Sequence, residues 1–480
     1  MQASDTNHSR SMRLYGCLGI LFVLISAAYL RYILIAKSVA PIMDFWHWIR
    51  LYGEKLQNGT ITFWDFFLSD AGNHMQPFCM ALQFYVLKLS QFDVQPLVVW
   101  GAIFRIGIAG AAAFLFLRHY KETGREHPVL LVVFSAAIIM TILNYNAWEM
   151  TIEPFSLGNA VRVLLYLLSF LFAGRFLQRM PERSMGKNLL CAAGLGFLCA
   201  FLTIFVGSAY FIGHLPAIGL ALVFVFFCHL REWKQYFIPF FLWFVLSLAG
   251  ALVYYWLYTA GGRAEISAGM TFDFLELLRG MVIYWGSLFV PLTWAESRGP
   301  MLTYLLGAAT IVYIVVILVL YVSKKDRVER NAFPVICVLY AMLVGIGIAA
   351  GRTGSYGADV MYSSRYVIET SIGLLGLIVM TYEVAVSAQF HAKGILKYWS
   401  AAAVTLLLLL LGNAGRVEHG IAPARAAYNQ QIVAVMQDID QVTEEEAAVT
   451  QASLEDVRYC VEFFKANHLS IFSDETAVPK

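Results

Sequence analysis

Eleven apolar runs recur along this chain, most of them about the twenty residues a helix needs to cross the ~30 Å hydrocarbon core of a bilayer, the third and the last being shorter. They fall at 14–35, 96–117, 129–145, 158–177, 188–208, 211–229, 236–257, 301–322, 333–350, 366–386 and 398–413. In lipid, backbone N–H and C=O groups find no water, so a spanning segment must close its hydrogen bonds internally as a helix or within a barrel. Composition points the same way. The chain is 59% hydrophobic and only 14% charged, against about 45–50% and about 25% for soluble domains. The expectation is an all-α integral membrane protein of about eleven transmembrane helices over 1–413, followed by a small polar, helical tail at 414–480. The first run follows Arg10 and Arg13, is too long for a signal-peptide core and has no small-residue cleavage site after it, so it reads as a retained span.

Orientation follows from Lys and Arg in short loops. One set of loops and span ends carries Arg118, Lys121 and Arg125; Arg175, Arg179, Arg183 and Lys187; Arg231 and Lys234; Lys324, Lys325, Arg327 and Arg330; and Lys393 and Lys397. The opposite set includes 146–157 and 209–210, which have neither Lys nor Arg. This bias puts the N-terminus in the cytoplasm and the C-terminus outside. The long segments 37–95 and 258–300 and the tail then share the outer face, where binding or chemistry is expected. No basic stripe or nucleic-acid motif is present, so membrane lipids rather than nucleic acid are the expected surroundings. Of the seven cysteines, only Cys79 and Cys460 are placed to meet on the outer side.

The first outer segment has its own pattern. Residues 45–57 read as an amphipathic helix with aromatics on one face, broken by Asn58-Gly59, and 61–68 as an aromatic interfacial stretch. Residues 76–90 read as a second helix with Pro77 in its first turn. Such surface helices can roof a cavity. Within the tail, 454–465 reads as an amphipathic helix and 469–472 as a short strand.

Several polar residues stand out at this face. Asp44, just beyond the first span, reads as a solvated capping residue, a metal ligand or a general base. Asp65, Asp70 and His74 share its loop, and His74 sits among turn formers. Glu149 and Glu153 in the third-to-fourth loop lie four apart, on one face if helical, with Arg162 a candidate partner. Arg105, in the outer half of the second span, is either functional, as intramembrane ionisable groups tend to be, or a structural partner of Asp44, Glu149 or Glu153. Gly351-Arg352-Thr353-Gly354-Ser355-Tyr356-Gly357 reads as a tight loop, followed by Ser363-Ser364-Arg365-Tyr366. Its two arginines suit either bidentate phosphate binding or snorkelling to lipid headgroups.

Three of these features together, the acidic residue after the first span, Asn73-His74-Met75-Gln76-Pro77-Phe78, and the Gly-Arg…Ser-Arg-Tyr pattern at 351–366, resemble bacterial multi-span glycosyltransferases of the GT-C type. More narrowly, the chain resembles a group with an Asn-Glu-His-Arg motif in the first outer loop. It departs from that motif at Asn73, where the group has Glu, and at Met75, where it has Arg. The resemblance implies transfer of a sugar from a polyprenyl-phosphate donor to a cell-envelope glycan, lipid or protein acceptor outside a bacterial cytoplasmic (inner) membrane. It implies catalytic roles for Asp44 (as base, or positioning a divalent metal or the acceptor) and His74. Arg352, Arg365 and Tyr366 would hold the donor phosphate, with Arg105, Glu149 and Glu153 among the binding residues. A flippase or transporter of lipid-linked glycans, and an arginine-dependent polymerase or ligase without need of Asp44, are the competing readings.

Overall fold

The computed structural model describes residues 2–68, 76–122, 127–207, 210–260, 273–387 and 393–473. Among these, helices are the only regular secondary structure. Eleven are long and apolar enough to cross a membrane: Tyr15–Ala36, Gln95–Glu122, Pro128–Ala147, Ser156–Arg179, Met185–Val206, Phe211–Cys228, Leu230–Ala260, Met301–Val322, Phe333–Tyr356, Ser364–Ser387 and Ile395–Gln437. They are numbered here as spans one to eleven. Each coincides with an apolar run read from the sequence, so the chain is an all-α multi-pass membrane protein.

The tenth span is the pillar of the bundle. Every residue from Tyr366 to Ala385 is buried, and spans three, eight, nine and eleven pack around it. A helix apolar on all sides has no preferred face, so close approach and polar pairs set its orientation. Small residues let helices in lipid come together. A Cβ at Gly376 would collide with the Pro334 carbonyl of the ninth span, and one at Gly373 with Ala341 and Trp285.

The polar pair that fixes this packing is Arg162 of the fourth span with Glu369 of the tenth. Both side chains are essentially inaccessible, at 1% and 0% exposure. Arg162 Nη2 donates to Glu369 Oε1 and to Asn159 Oδ1. The Tyr340 hydroxyl, from the ninth span, donates to Glu369 Oε2, and the Arg162 guanidinium lies 4.1 Å from the Tyr210 ring centroid. Three spans are thus tied at one level. The pairing of Arg162 with Glu149 or Glu153 read from the sequence is not what the structure adopts, because Glu369 lies deeper, beside it, with both carboxylate oxygens satisfied.

On one end of the bundle the connections are elaborated into a cap layer. The helix Asp44–Gln57 buries Phe45, Trp46, Trp48, Ile49, Tyr52 and Leu56 on one face and packs against the tail helix Leu454–Asn467. Their polar rims meet where Arg50 bonds Asp456 at 2.9 Å and Glu455 at 2.7 Å. The helix Pro77–Leu89, with Pro77 at its first position, adds Met80, Phe84 and Leu87 to this second hydrophobic core. Gly59, at φ +69, provides the break after the first surface helix. Cys79 and Cys460 are both buried and unpaired. The Cys460 thiol donates to the Trp46 carbonyl and that of Cys79 to Gly158, on different elements.

The chain departs from its sequence reading in three places. The last spanning helix does not stop at 413. It continues to Gln437, and its 43 residues extend roughly 65 Å at about 1.5 Å per residue, about twice the hydrocarbon thickness. Its second half, past Arg416, therefore stands in the cap layer. The stretch 351–357 is not a loop: the ninth span remains helical to Tyr356, and Gly357, at φ +74, makes the turn alone. Residues 470–472 form a 3-10 turn instead of a strand. Ser470 N–H bonds Gln91 O at 2.7 Å, but no described strand lies alongside to build a ladder.

Breaking one member of a buried ion pair leaves an uncompensated charge and costs about 3–5 kcal/mol, whereas replacing both members with apolar residues is often neutral. Glu369→Gln and Arg162→Met should each sharply lower the thermal unfolding midpoint of the detergent-solubilised protein. The double variant Arg162→Met/Glu369→Leu should recover most of that loss. If the double variant is as unstable as the sum of the singles, the pair does not act as a unit.

Candidate functional site

The entry to the tenth span is built by the Gly357–Ser363 turn and anchored by Glu149. One carboxylate oxygen, Glu149 Oε2, accepts from the Ser363 hydroxyl at 3.0 Å and from the Arg365 backbone N–H at 3.0 Å, and it lies 3.6 Å from Arg365 Nε. In return, the Glu149 N–H donates to Ser364 Oγ at 3.1 Å. A carboxylate at the first backbone N–H groups of a helix complements both the unpaired donors and the helix dipole. Arg365 Nε is further held by Ser363 Oγ at 2.8 Å.

What this leaves open is informative. The Arg365 side chain is 31% exposed, its Nε is committed, and neither terminal nitrogen makes a hydrogen bond among the described residues. Arg352, in the last turn of the ninth span, is half-buried and forms no ion pair with a described carboxylate. Both guanidinium groups act electrostatically on the Tyr366 hydroxyl. Two arginines whose forks are not consumed by described carboxylates, both acting on one tyrosine at a span boundary, make a donor set suited to phosphate.

Asp44 comes from a different element and converges on the same place. It is the first residue of the helix Asp44–Gln57, is exposed, and lies within electrostatic reach of Arg365. The preceding Met43 is at φ 53, ψ −138, a backbone region that side chains other than glycine rarely adopt and that costs about 1–3 kcal/mol. The Met43 N–H is held by Thr450 O at 3.0 Å. The tail therefore helps force the turn that presents Asp44. The strained residue next to a carboxylate is a local signal that the sequence does not display.

Glu153 lies between two cationic groups. The four-residue helix Glu149–Ile152 ends before it and its backbone is extended, so Glu149 and Glu153 do not share a helix face as their spacing predicts. Burial, at 4% exposure, pushes the Glu153 carboxyl well above the ordinary glutamate range; Glu149 adds to this, while Arg365 and Arg425 oppose it. Arg105 is buried in the second span, where its Nη2 donates to the Met150 carbonyl at 3.1 Å. It thus supports the turn carrying Glu149 through the backbone, and pairs with none of the carboxylates considered from the sequence. Beside it is a cavity of about 20 Å³, lined in part by Asn144 and Ser371, room for one water. Asp65 is structural. Despite partial burial, Lys55 and Thr62 hold its carboxyl down to about 2, with Lys55 Nζ at 2.5 Å.

His74 and Asp70 lie outside the described residues. Among the described residues, no group of three or more His, Cys, Asp or Glu side chains could hold a metal. Among the described residues, Asp44 therefore has no ready-made ligand set around it. The residue that sequence reasoning missed is Arg425, whose guanidinium stacks 3.7 Å from the Trp148 ring centroid and bonds Glu418 at 2.7 Å. It falls in a stretch with mixed charge and no motif.

The raised pKa of Glu153 fixes the sign of a stability effect. Below the ordinary glutamate pKa of about 4.3 the group is protonated both folded and unfolded and contributes nothing; above it the unfolded chain ionises while the folded one keeps its proton. Wild-type stability should then fall with rising pH by up to about 1.4 kcal/mol per unit relative to Glu153→Gln. The variant should unfold like wild type near pH 4 and at a higher temperature at pH 7. Equal midpoints at both pH values would mean that Glu153 is ionised in the fold.

In comparisons with protein-family models and with curated proteins, no match to this chain is found.

Proposed function

We propose that this protein transfers a sugar from a polyprenyl-phosphate donor to a cell-envelope glycan, lipid or protein acceptor, and that the cap layer faces the outside of a bacterial cytoplasmic membrane, with the N-terminus inside. The observation that carries this reading is that Asp44 lies within electrostatic reach of Arg365, whose terminal nitrogens make no hydrogen bond among the described residues. Displacing a lipid phosphate from a sugar needs a base for the attacking hydroxyl and cationic donors for the departing phosphate. An exposed carboxylate within electrostatic reach of an arginine with free terminal nitrogens meets both needs. Arg352 and Arg365 sit at the ends of adjacent spans, where a phosphate carried on a lipid would lie. The basic loops at the opposite end of the bundle support the orientation. In this mechanism Asp44 takes the proton of the acceptor hydroxyl, which attacks the anomeric carbon as its bond to the phosphate oxygen breaks. The negative charge gathering on the lipid phosphate is met by the two guanidinium groups, since the Tyr366 hydroxyl is sealed off from solvent.

The reading is tested with the full-length protein in nanodiscs and radiolabelled polyprenyl-phosphate hexoses supplied with envelope extracts. Asp44→Asn should lower kcat about 10²-fold or more with little change in donor KM. Arg352→Ala should raise donor KM about tenfold or more, as expected for loss of a charge-assisted bond worth ~1.5–3 kcal/mol. Full turnover by Asp44→Asn would remove Asp44 as the base, and no transfer by the wild-type protein would eliminate the transferase, leaving a polymerase or ligase that relies on the arginines.

A further inference from the structure

A cavity of about 320 Å³ lies in the seam between the third-to-fourth loop and the extended eleventh helix. This is at the lower edge of the ~300–1,000 Å³ of small-molecule pockets. Its wall is apolar at Ile42, Ile152 and Ile421 and aromatic at Trp148, and two groups with unused hydrogen-bonding capacity, Glu153 and Arg425, line it. Glu153 is more than nine-tenths buried and its carboxyl makes no hydrogen bond among the described residues; Oε2 is sealed off from solvent, so it is through Oε1 that the residue lines the cavity. Arg425 spends Nε and Nη2 on one oxygen of Glu418, at 3.2 and 2.7 Å, and its Nη1 has no described partner. Leaving a buried polar group unsatisfied costs about 1–3 kcal/mol, so the cavity is built to be completed by something that brings hydrogen bonds.

We infer that this cavity binds a neutral, hydroxyl-rich sugar ring, with Glu153 and Arg425 bonding its hydroxyls and Trp148 and the isoleucines covering its apolar face. Charge selects against the alternatives. Arg425 is already neutralised by Glu418, so an anion finds no net positive charge there. A cation would have to sit against the Arg365 and Arg425 guanidinium groups that already act on Glu153, whereas a sugar hydroxyl can bond the carboxyl without adding charge. A lipid tail would leave Glu153 and Arg425 Nη1 unbonded. The position also fits: Glu149 and Arg365 act electrostatically on Glu153, as Arg425 does, so the cavity adjoins the proposed transfer site. That the sugar belongs to the acceptor rests on the transferase reading; that the cavity holds a sugar does not.

Saturation-transfer NMR on the full-length protein in sugar-free nanodiscs, with a panel of methyl hexopyranosides as probes, tests this. At least one hexopyranoside should bind. Two variants should each weaken it tenfold or more: Glu153→Leu, which removes the orphaned carboxyl, and Ala424→Phe, which fills the cavity from an exposed rim position without touching the core. No binding by any hexopyranoside, or binding undiminished by Ala424→Phe, overturns the sugar site whatever the transfer assay gives. Binding lost in both cavity variants, with no sugar transfer by the wild-type protein, upholds the sugar site while removing the transferase.

Discussion

The fold depends on one helix that has no exposed side. Because the tenth span is buried along its whole apolar length, its rotation and depth are set by what it carries, and Glu369 is the group that cannot be misplaced. A carboxylate in so dry a place is tolerated only against a fixed counter-charge with its remaining lone pairs filled. Arg162 and the Tyr340 hydroxyl meet both conditions. With Glu369 held at that level, Arg365 lies one helical turn higher, at the end of the bundle, where Glu149 receives its backbone N–H. The inert ion pair and the open arginine are successive turns of one helix, so the first determines where the second emerges.

This explains why the candidate site is rigid on the arginine side and strained on the acid side. Arg365 is fixed by Glu149 and Ser363 through Nε and the main chain, which leaves its terminal nitrogens outward. Asp44 is carried by a surface helix whose opposite face is buried against the tail, and its presentation depends on a backbone conformation at Met43 that the Thr450 carbonyl helps to hold. The tail is therefore a structural determinant of the site, joined to it through Met43 and through the extended eleventh helix.

The sequence made the spans and the surface helices legible for different reasons. Twenty-residue apolar runs have only one good solution in lipid, and helices such as Asp44–Gln57 have a strong enough face to read from spacing alone. The residues at the site were also legible as types: a carboxylate after the first span and two arginines around the ninth-to-tenth turn. Pairing was not. Arg162 takes Glu369 in place of Glu149 or Glu153, and Arg105 takes a carbonyl, because the rotation of an all-round apolar helix leaves no periodic trace. The continuation of the last helix past 413 was hidden because the change from apolar to polar there marks the membrane boundary and not a helix end. Nothing between Arg416 and Gln437 is a strong breaker except Pro423, which the helix accommodates.

That continuation is what makes the seam. Had the last helix ended at the membrane boundary, the seam beside Glu153 would lack the wall formed by Ile421, Ala424 and Arg425. Standing above the boundary, the helix instead walls the third-to-fourth loop and brings Arg425 over Trp148. It encloses a carboxyl that the described residues do not satisfy. Natural folds seldom keep such a group without a use, since replacing it would be stabilising. The same wall that hides Glu153 from water keeps it beside Glu149 and Arg365. A ligand seated in the cavity and a phosphate at the open arginines would therefore be neighbours across one side chain.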